Sequence, residues 1–316
     1  MFLSVVIPTK NRAAMLDDLL KSIKAQKLAA EKYEVIVVDN CSSDGTAKVC
    51  ASYEGQIKNL DYVLENQPGL HKGRHAGLKK AKGDILIFAD DDIKAFPSWL
   101  GAISEAFEDK DVMLAGGKCL PLFEIQPPPW LEDLWQRQNS DRQILPFLSL
   151  LDLGNSIKEI SPYYVFGCNF SIRRHILLQA GGFHPDAMPW DLIRYRGDGE
   201  THISQFISSK RYKTIYHPKA SVYHRVSKDR MTKDYFSHRY YIQGISDSFT
   251  QLRNGGFRYH WTALALRTIK RLPLFCINRL HARAYKAYLE GYCYHRREVR
   301  RSPELNKWVH RENYLE

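Results

Sequence analysis

The stretch DILIFADDDI, residues 84–93, decides how the chain is read, because a run apolar enough to be a buried strand delivers three consecutive carboxylates, Asp90, Asp91 and Asp92. Adjacent carboxylates repel one another, and each unpaired one costs roughly several kcal/mol to bury. A strand ending in this way needs positive charge beside it, from side chains or from a cation. A hard divalent cation satisfies carboxylates and can bridge phosphate oxygens at the same time.

Working outward, the β-branched runs LSVVIP, YEVIVVD, LDYVLE and VMLAGG share the character of that strand and alternate with helical patterns through the first 120 residues. Met15, Leu19, Leu20 and Ile23 form one helical stripe, and RHAGLKKA and SWLGAISEAF supply two more helices. This alternation predicts βαβ units: an α/β fold with a mainly parallel sheet flanked by helices. Ligands of such sheets bind at the carboxyl ends of the strands. Other strand ends therefore become candidates: Thr9 and Arg12 in IPTKNR, Asp39 in VVDN, and Arg74 in GRHAG, on the opening turn of a helix where an anion is favoured.

From Leu120 to about Pro162 the alternation stops, and QPPPW reads as incompatible with regular structure, which predicts a long loop serving as a flap or acceptor wall. Regular patterns return at YYVFGCNFSIRR, GETHISQFISSKRY, YKTIYH and SVYH. Beyond His224 the chain reads as helices.

Charge divides the chain at the same place. Residues 225–316 carry 19 Lys and Arg against 8 Asp and Glu, so the whole net charge of +11 lies there and residues 1–224 are neutral. Residues 1–224 are read as one catalytic domain and 225–316 as a basic, aromatic-rich helical extension. Trp261, Leu264, Ala265, Ile269 and Leu272 share one helical face, and Ile277, Leu280, Ala284 and Ala287 another, with arginines and lysines elsewhere. Residues 257–301 are thus expected either to pack on their own domain or to lie on an anionic membrane surface. A base-reading motif is lacking, so no nucleic-acid partner is expected. The six cysteines form no Cys-x-x-Cys pair, no apolar run approaches a membrane span, and the first apolar run reads as a strand. A reduced, cytoplasmic protein is expected, peripheral on the inner face if it works at a membrane.

Taken together and in order, SVVIPTKNR, VIVVDNCSSDGT, Asn66 with GRHAG, GDILIFADDD, FGCNFSIRR, GGFHPD and YKTIYHPKASVYH resemble the family-2 inverting glycosyltransferases with the GT-A fold. The resemblance spans residues 2–224. It implies that Asp39 binds the nucleotide base, that Pro8, Thr9, Arg12 and Arg74 help hold the nucleotide, and that the aspartates are the DxD motif. By that analogy Asp90 and Asp91 lie near ribose and diphosphate, while Asp92 and His224 hold Mn2+ or Mg2+. The implied reaction moves a sugar from a nucleotide-diphosphate donor, UDP above all, to a hydroxyl of a glycan or lipid-linked glycan.

Where many members read Glu-Asp before a helix, this chain has RGDGETHIS. An inverting transfer needs one carboxylate to take the acceptor's proton. Two acids compete for that role: Glu200, in the first turn of the expected helix, is the assigned base, and Asp198, on a mobile turn better placed to touch acceptor or donor hydroxyls, is the alternative. Trp190 is a candidate platform for a sugar face, and Gly181 and Gly182 are expected to bring backbone close to the donor sugar. A sugar nucleotidyltransferase fits less well, because PTKNRA replaces its glycine-rich first loop. The non-enzymatic alternative, a GT-A glycan-binding scaffold, is separated by donor hydrolysis in Mn2+.

Overall fold

The computed structural model describes residues 1–136, 142–255 and 279–315. In chain order the strands are β1 (Leu3–Thr9), β2 (Tyr33–Asp39), β3 (Leu60–Leu64), β4 (Ile85–Ala89), β5 (Ile93–Ala95), β6 (Val112–Gly116) and β7 (Cys119–Phe123). They continue with β8 (Gln143–Leu145), β9 (Leu150–Asp152), β10 (Lys158–Glu159), β11 (Asn169–Arg173), β12 (Lys213–Tyr216) and β13 (Val222–Val226). The helices are α1 (Ala13–Lys24), α2 (Thr46–Ser52), α3 (Leu70–Lys80), α4 (Trp99–Ala106) and α5 (Pro129–Gln136). After these come α6 (Arg174–Gln179), α7 (Thr201–Ser209), α8 (Lys233–Gly255), α9 (Arg279–Arg301) and α10 (Pro303–Val309).

The main sheet runs β10-β12-β6-β11-β4-β1-β2-β3. Its β4-β1-β2-β3 half is parallel, whereas β11 is antiparallel to both β4 and β6. Both faces of the parallel half are covered, and the two-residue period of a strand shows in how the side chains divide. Val5, Ile7, Val35, Val37, Ile85 and Ile87 meet Leu16, Leu19, Leu20 and Ile23 of α1 on one face. Val6, Ile36, Val38, Leu86 and Phe88 meet Leu78 of α3 on the other. Each such side chain contributes about 1.5–3 kcal/mol by leaving water. Gly77 lets α3 lie directly on the sheet, since a Cβ there would collide with Val6. That close seat carries Arg74, one turn earlier, to the sheet's carboxyl edge.

Residues 120–162 depart from the expected irregular loop. They contribute most of a second sheet, β5-β13-β7-β9-β8, and the helix α5. Proline is tolerated in a helix's first turn, where its missing N–H has no intrahelical partner to lose, so Pro129 starts α5 rather than forbidding it. Leu131, Leu145, Leu148 and Leu150 then join Val226 and Met231 in a small core of their own.

Residue 224, where the sequence divides, lies within β13, which continues to Val226. The first amphipathic stretch, with Trp261, Leu264, Ala265, Ile269 and Leu272, lies outside the described residues, as does Ile277. The second is α9, and its inward face is occupied: Tyr285, Tyr288 and Tyr292 are buried against α8. The helices touch backbone to backbone, because a Cβ on Gly244 would strike the Tyr288 carbonyl and one on Gly291 the Tyr241 carbonyl. Tyr314 packs with Phe249, Leu305 and Val309, and Leu315 packs on the core beneath the main sheet. No helix among the described residues is long and apolar enough to cross a membrane, and the five described cysteines are free.

Because that helix crossing has no room for a side chain, Gly291→Ala should destabilise the protein by about 1–3 kcal/mol, read as a lower thermal midpoint. An unchanged midpoint would mean that α9 does not sit on α8.

Candidate functional site

At the carboxyl edge of β1 and β4 lies a cleft of about 590 Å³. The strand neighbours β1 and β4 set its floor: Thr9 ends one, Asp90 follows the other, and the Thr9 hydroxyl donates to Asp91 at 2.7 Å. Arg12, where the chain turns from β1 into α1, donates to Asp91 at 2.8 Å and to Asp92 at 3.3 Å. Arg230 meets the same oxygen of Asp92, Oδ2, at 3.2 Å. Asp91 and Asp92 are 3% and 6% exposed, so these partners decide whether their charges are tolerated. Burial pushes Asp91 up to about 6 despite Arg12. Burial raises Asp92 as well, but His224, Arg230 and Arg12 outweigh it and hold the carboxyl well below the usual range.

His224, on β13, completes the cluster. Its Nδ1 lies 2.8 Å from the Leu148 carbonyl, which can only accept, so Nδ1 carries a proton and Nε2 faces Asp92 Oδ1 at 3.3 Å. Burial alone would lower its pKa, yet Cys168 and Asp92 push it up to about 9. Cys168 has its own pKa raised well above the ordinary thiol value, so Asp92 is the effective anion. Asp92 Oδ1 is buried and, apart from this ion pair with His224, meets no hydrogen-bond donor among the described residues. Ligand atoms of Asp90, Asp92 and His224 lie within 4.8 Å of one another. A buried carboxylate oxygen whose neighbour is an imidazole nitrogen, the other ring nitrogen being fixed by a carbonyl, fits Mn2+ or Mg2+ once Nε2 gives up its proton. Asp90 thereby joins Asp92 and His224 as a candidate ligand, alongside its expected place near the nucleotide.

Arg74 lies in the second turn of α3, 2% exposed, with its guanidinium 3.6 Å from Asp90 and 3.5 Å from Glu200. Burial works against its charge, but Glu200 and then Asp90 raise its pKa. It also donates to the Gly167 carbonyl and stacks on Phe183, 4.9 Å from the ring centre. A Cβ on Gly167 would lie 2.5 Å from Arg74 Nη2 and 3.0 Å from Glu200 Oε1, so glycine here is what lets the two meet. Glu200 holds the N-cap position of α7 but makes no capping bond with its side chain. Its carboxylate is left to Arg74 and the cleft.

The two acids before α7 therefore part company. Asp198 does not sit on a mobile turn: it is buried, 2.6 Å from His184 Nδ1, and its second oxygen accepts from Thr250. Both oxygens are spent on packing the cleft wall.

Pro8, Thr9, Arg12, Arg74, all three aspartates, Asp198, Glu200 and His224 line the cleft together. Asp39 does not. It is buried beside Thr9 in register and accepts from the Ser42 N–H and the Tyr62 hydroxyl. Gly181 and Gly182 take the positive φ of a tight turn, 81° and 78°, but face Asn313 and Leu315 instead of the cleft. Trp190 is 64% exposed against His238 and Tyr241, outside the cleft lining. Sequence reasoning missed Asp186, Arg196, Arg230, Arg239 and Gln243, all of which line the cleft. Arg239 and Gln243 are i, i+4 neighbours on α8, a helical signal that was legible, although what the face looks at was not.

The model of the family described as glycosyl transferase family 2 matches residues 4–177. Among curated relatives, the chain is 34% identical to glycosyltransferase AglE of Haloferax volcanii over 117 residues, 37% of this chain and 38% of that one. It is 28% identical to validoxylamine A glucosyltransferase of Streptomyces hygroscopicus over 204 residues, 60% of this chain and 48% of the relative. The chain thus spans between about a third and a half of the length of these relatives. Of solved structures, a Pyrobaculum calidifontis mannosyltransferase in complex with GDP-Man and Mn2+ aligns with a TM-score of 0.55 at 19% identity, covering 99% of this chain and 84% of that one. S. aureus TarS in complex with UDP-GlcNAc aligns with a TM-score of 0.52 at 15% identity, covering 95% and 92%. At such identities these structures speak for the GT-A fold alone. The family match covers more than half of the chain and coincides with the strands, the aspartate cluster and the Gly167 turn: the chain belongs to glycosyl transferase family 2.

Proposed function

We propose that the protein transfers a sugar, with inversion, from a nucleotide-diphosphate donor to a hydroxyl of a glycan or lipid-linked glycan, UDP being the favoured nucleotide. The observation that carries this reading is the pairing of Asp90, Asp92 and His224 on one side of the cleft with Glu200, held by Arg74, on the other. The ligands bound in the two structural neighbours, GDP-Man with Mn2+ and UDP-GlcNAc, support it.

Asp90, Asp92 and His224 would hold Mn2+ or Mg2+, and the cation would neutralise charge on the departing nucleotide diphosphate. Thr9 and Arg12 fix Asp91 and so keep the floor of the donor site in place. Asp39, although off the cleft lining, keeps its proposed role at the nucleotide base, since it ends β2 directly beside Thr9. Glu200 is the proposed base: it takes the proton from the acceptor hydroxyl as that oxygen attacks the anomeric carbon from the face opposite the nucleotide. Asp198 becomes a positioning residue, tying the turn before α7 to His184 and to Thr250 of α8.

Among the described residues, the support for a membrane-surface reading is electrostatic. The apolar face of α9 is spent on α8, while Arg279, Arg283, Lys286, Arg297 and Arg301 are exposed on its outer side. The protein should float with anionic vesicles at low salt and be released at 1 M, where the Debye length is about 3 Å. Binding that survives 1 M salt, or none at low salt, would contradict that reading.

For the transfer itself, Asp92→Ala should abolish turnover and remove the metal-dependent part of the thermal stabilisation by UDP. Equal stabilisation with and without Mn2+ in the unaltered protein would sink the donor-site assignment. Glu200→Gln keeps size and removes basicity, so the rate at saturating substrates should fall about 100-fold or more with nucleotide affinity retained. Near-normal turnover in that variant would exclude Glu200 as the base.

A further inference from the structure

We infer that the cleft contains an anion-recognising acceptor subsite centred on Arg239, so that the acceptor carries a phosphate or carboxylate near the hydroxyl that is glycosylated; this rests on the transfer reading above. Among the described residues, six lysines and arginines line the cleft: Lys10, Arg12, Arg74, Arg196, Arg230 and Arg239. Four are committed. Arg12 and Arg230 hold the aspartate cluster, Arg74 joins Asp90 to Glu200, and Arg196 pairs with Asp186. Lys10 is exposed at the rim.

Arg239 is different. It is half-buried, has no hydrogen bond or ion pair with any described residue, and its Nε is buried in the cleft wall without a partner. Its near neighbour is a second guanidinium: burial lowers the pKa of Arg196, and the charge of Arg239 adds to that against the pull of Asp186. Asp186 acts with both guanidiniums, and the nearby acids Glu200 and Asp198 are held by Arg74 and by His184 and Thr250, so Arg239 keeps an unsatisfied donor edge in a wall where water is partly excluded. A guanidinium there is matched by a planar carboxylate or a phosphate, which it can grip with two parallel hydrogen bonds.

The position assigns that anion to the acceptor. Tyr235, Arg239, Gln243 and Ser246 repeat along one face of α8, a wall roughly 16 Å long. Arg230, just before the helix, marks its aspartate end, and Ser246 donates to the Gly197 carbonyl beside the Glu200 turn at the other. Arg239 stands between the two, one turn from Gln243. The Gln243 amide nitrogen is taken by Asp247, which leaves its oxygen to accept from a hydroxyl.

The test is calorimetric titration of the intact chain, loaded with Mn2+ and UDP, with glucose 6-phosphate, glucuronate and glucose, in the unaltered protein and in Arg239→Gln. One or both anionic sugars should bind about tenfold or more tighter than glucose, and the variant should lose that advantage while its Kd for UDP moves less than about twofold. The two anionic arms tell phosphate from carboxylate recognition. No preference for either anionic sugar, including no binding of any of the three, overturns the subsite, as does an advantage that survives in Arg239→Gln. A tenfold loss of UDP affinity in the variant would move Arg239 to the donor diphosphate and overturn it too. Failure of the unaltered protein to bind UDP with Mn2+ would instead defeat the donor reading on which the subsite stands.

Discussion

Two buried carboxylates at the end of β4 set the terms for the rest of the molecule. Asp91 and Asp92 are adjacent and nearly inaccessible, so their repulsion and desolvation must be offset on the spot. The offsets come from parts of the chain far apart in sequence: Thr9 and Arg12 after β1, His224 within β13 and Arg230 before α8. Removing one partner from a buried ion pair typically costs about 3–5 kcal/mol, because the other charge is left uncompensated. The cluster therefore fixes where the second sheet and α8 meet the parallel half of the main sheet. The same crowding leaves Asp92 Oδ1 with the His224 imidazole as its neighbour and no donor in full hydrogen-bond geometry among the described residues, which is the opening for a cation.

A second linkage reaches across the cleft through glycines. Gly77 seats α3 on the sheet and so sets the depth of Arg74; Gly167 leaves room for Arg74 and Glu200 to approach each other. A buried arginine shared between Asp90 and Glu200 ties the donor floor to the proposed base, so that the distance between the two halves of the chemistry is held by the fold. The C-terminal helices belong to the same construction. Gly244 and Gly291 let α8 and α9 cross at backbone contact, and the face of α8 that remains lines the cleft.

Much of this was legible in the sequence, and the reasons differ residue by residue. The parallel strands announce themselves because burial on both faces leaves continuous β-branched runs. The strand-end residues Thr9, Arg12 and Asp90 to Asp92 follow from where such sheets bind ligands. The second sheet was hidden because its strands are three to five residues long and gain their stability from Val226 and Met231, which lie far along the chain. Asp198 and Glu200 look alike in RGDGE; their fates diverge because His184 and Thr250 claim one and Arg74 the other. Gly181 and Gly182 signalled a tight turn correctly, while the partner of that turn, the segment Asn313–Leu315, is a tertiary fact. Trp190 reads in the sequence as a sugar platform; it is exposed, as a platform must be, but stands outside the cleft lining, which its local sequence could not show. The charge of the last 92 residues pointed outward, to a membrane, whereas Arg230 and Arg239 point into the cleft.

The most direct test is an anomalous difference map from crystals of the intact chain grown with UDP and Mn2+. The account predicts one manganese peak within coordinating distance of Asp90, Asp92 and His224, touching the UDP diphosphate, with Arg12 still on Asp91. A map with UDP bound and no peak at this cluster, or with manganese bound only elsewhere, would contradict it.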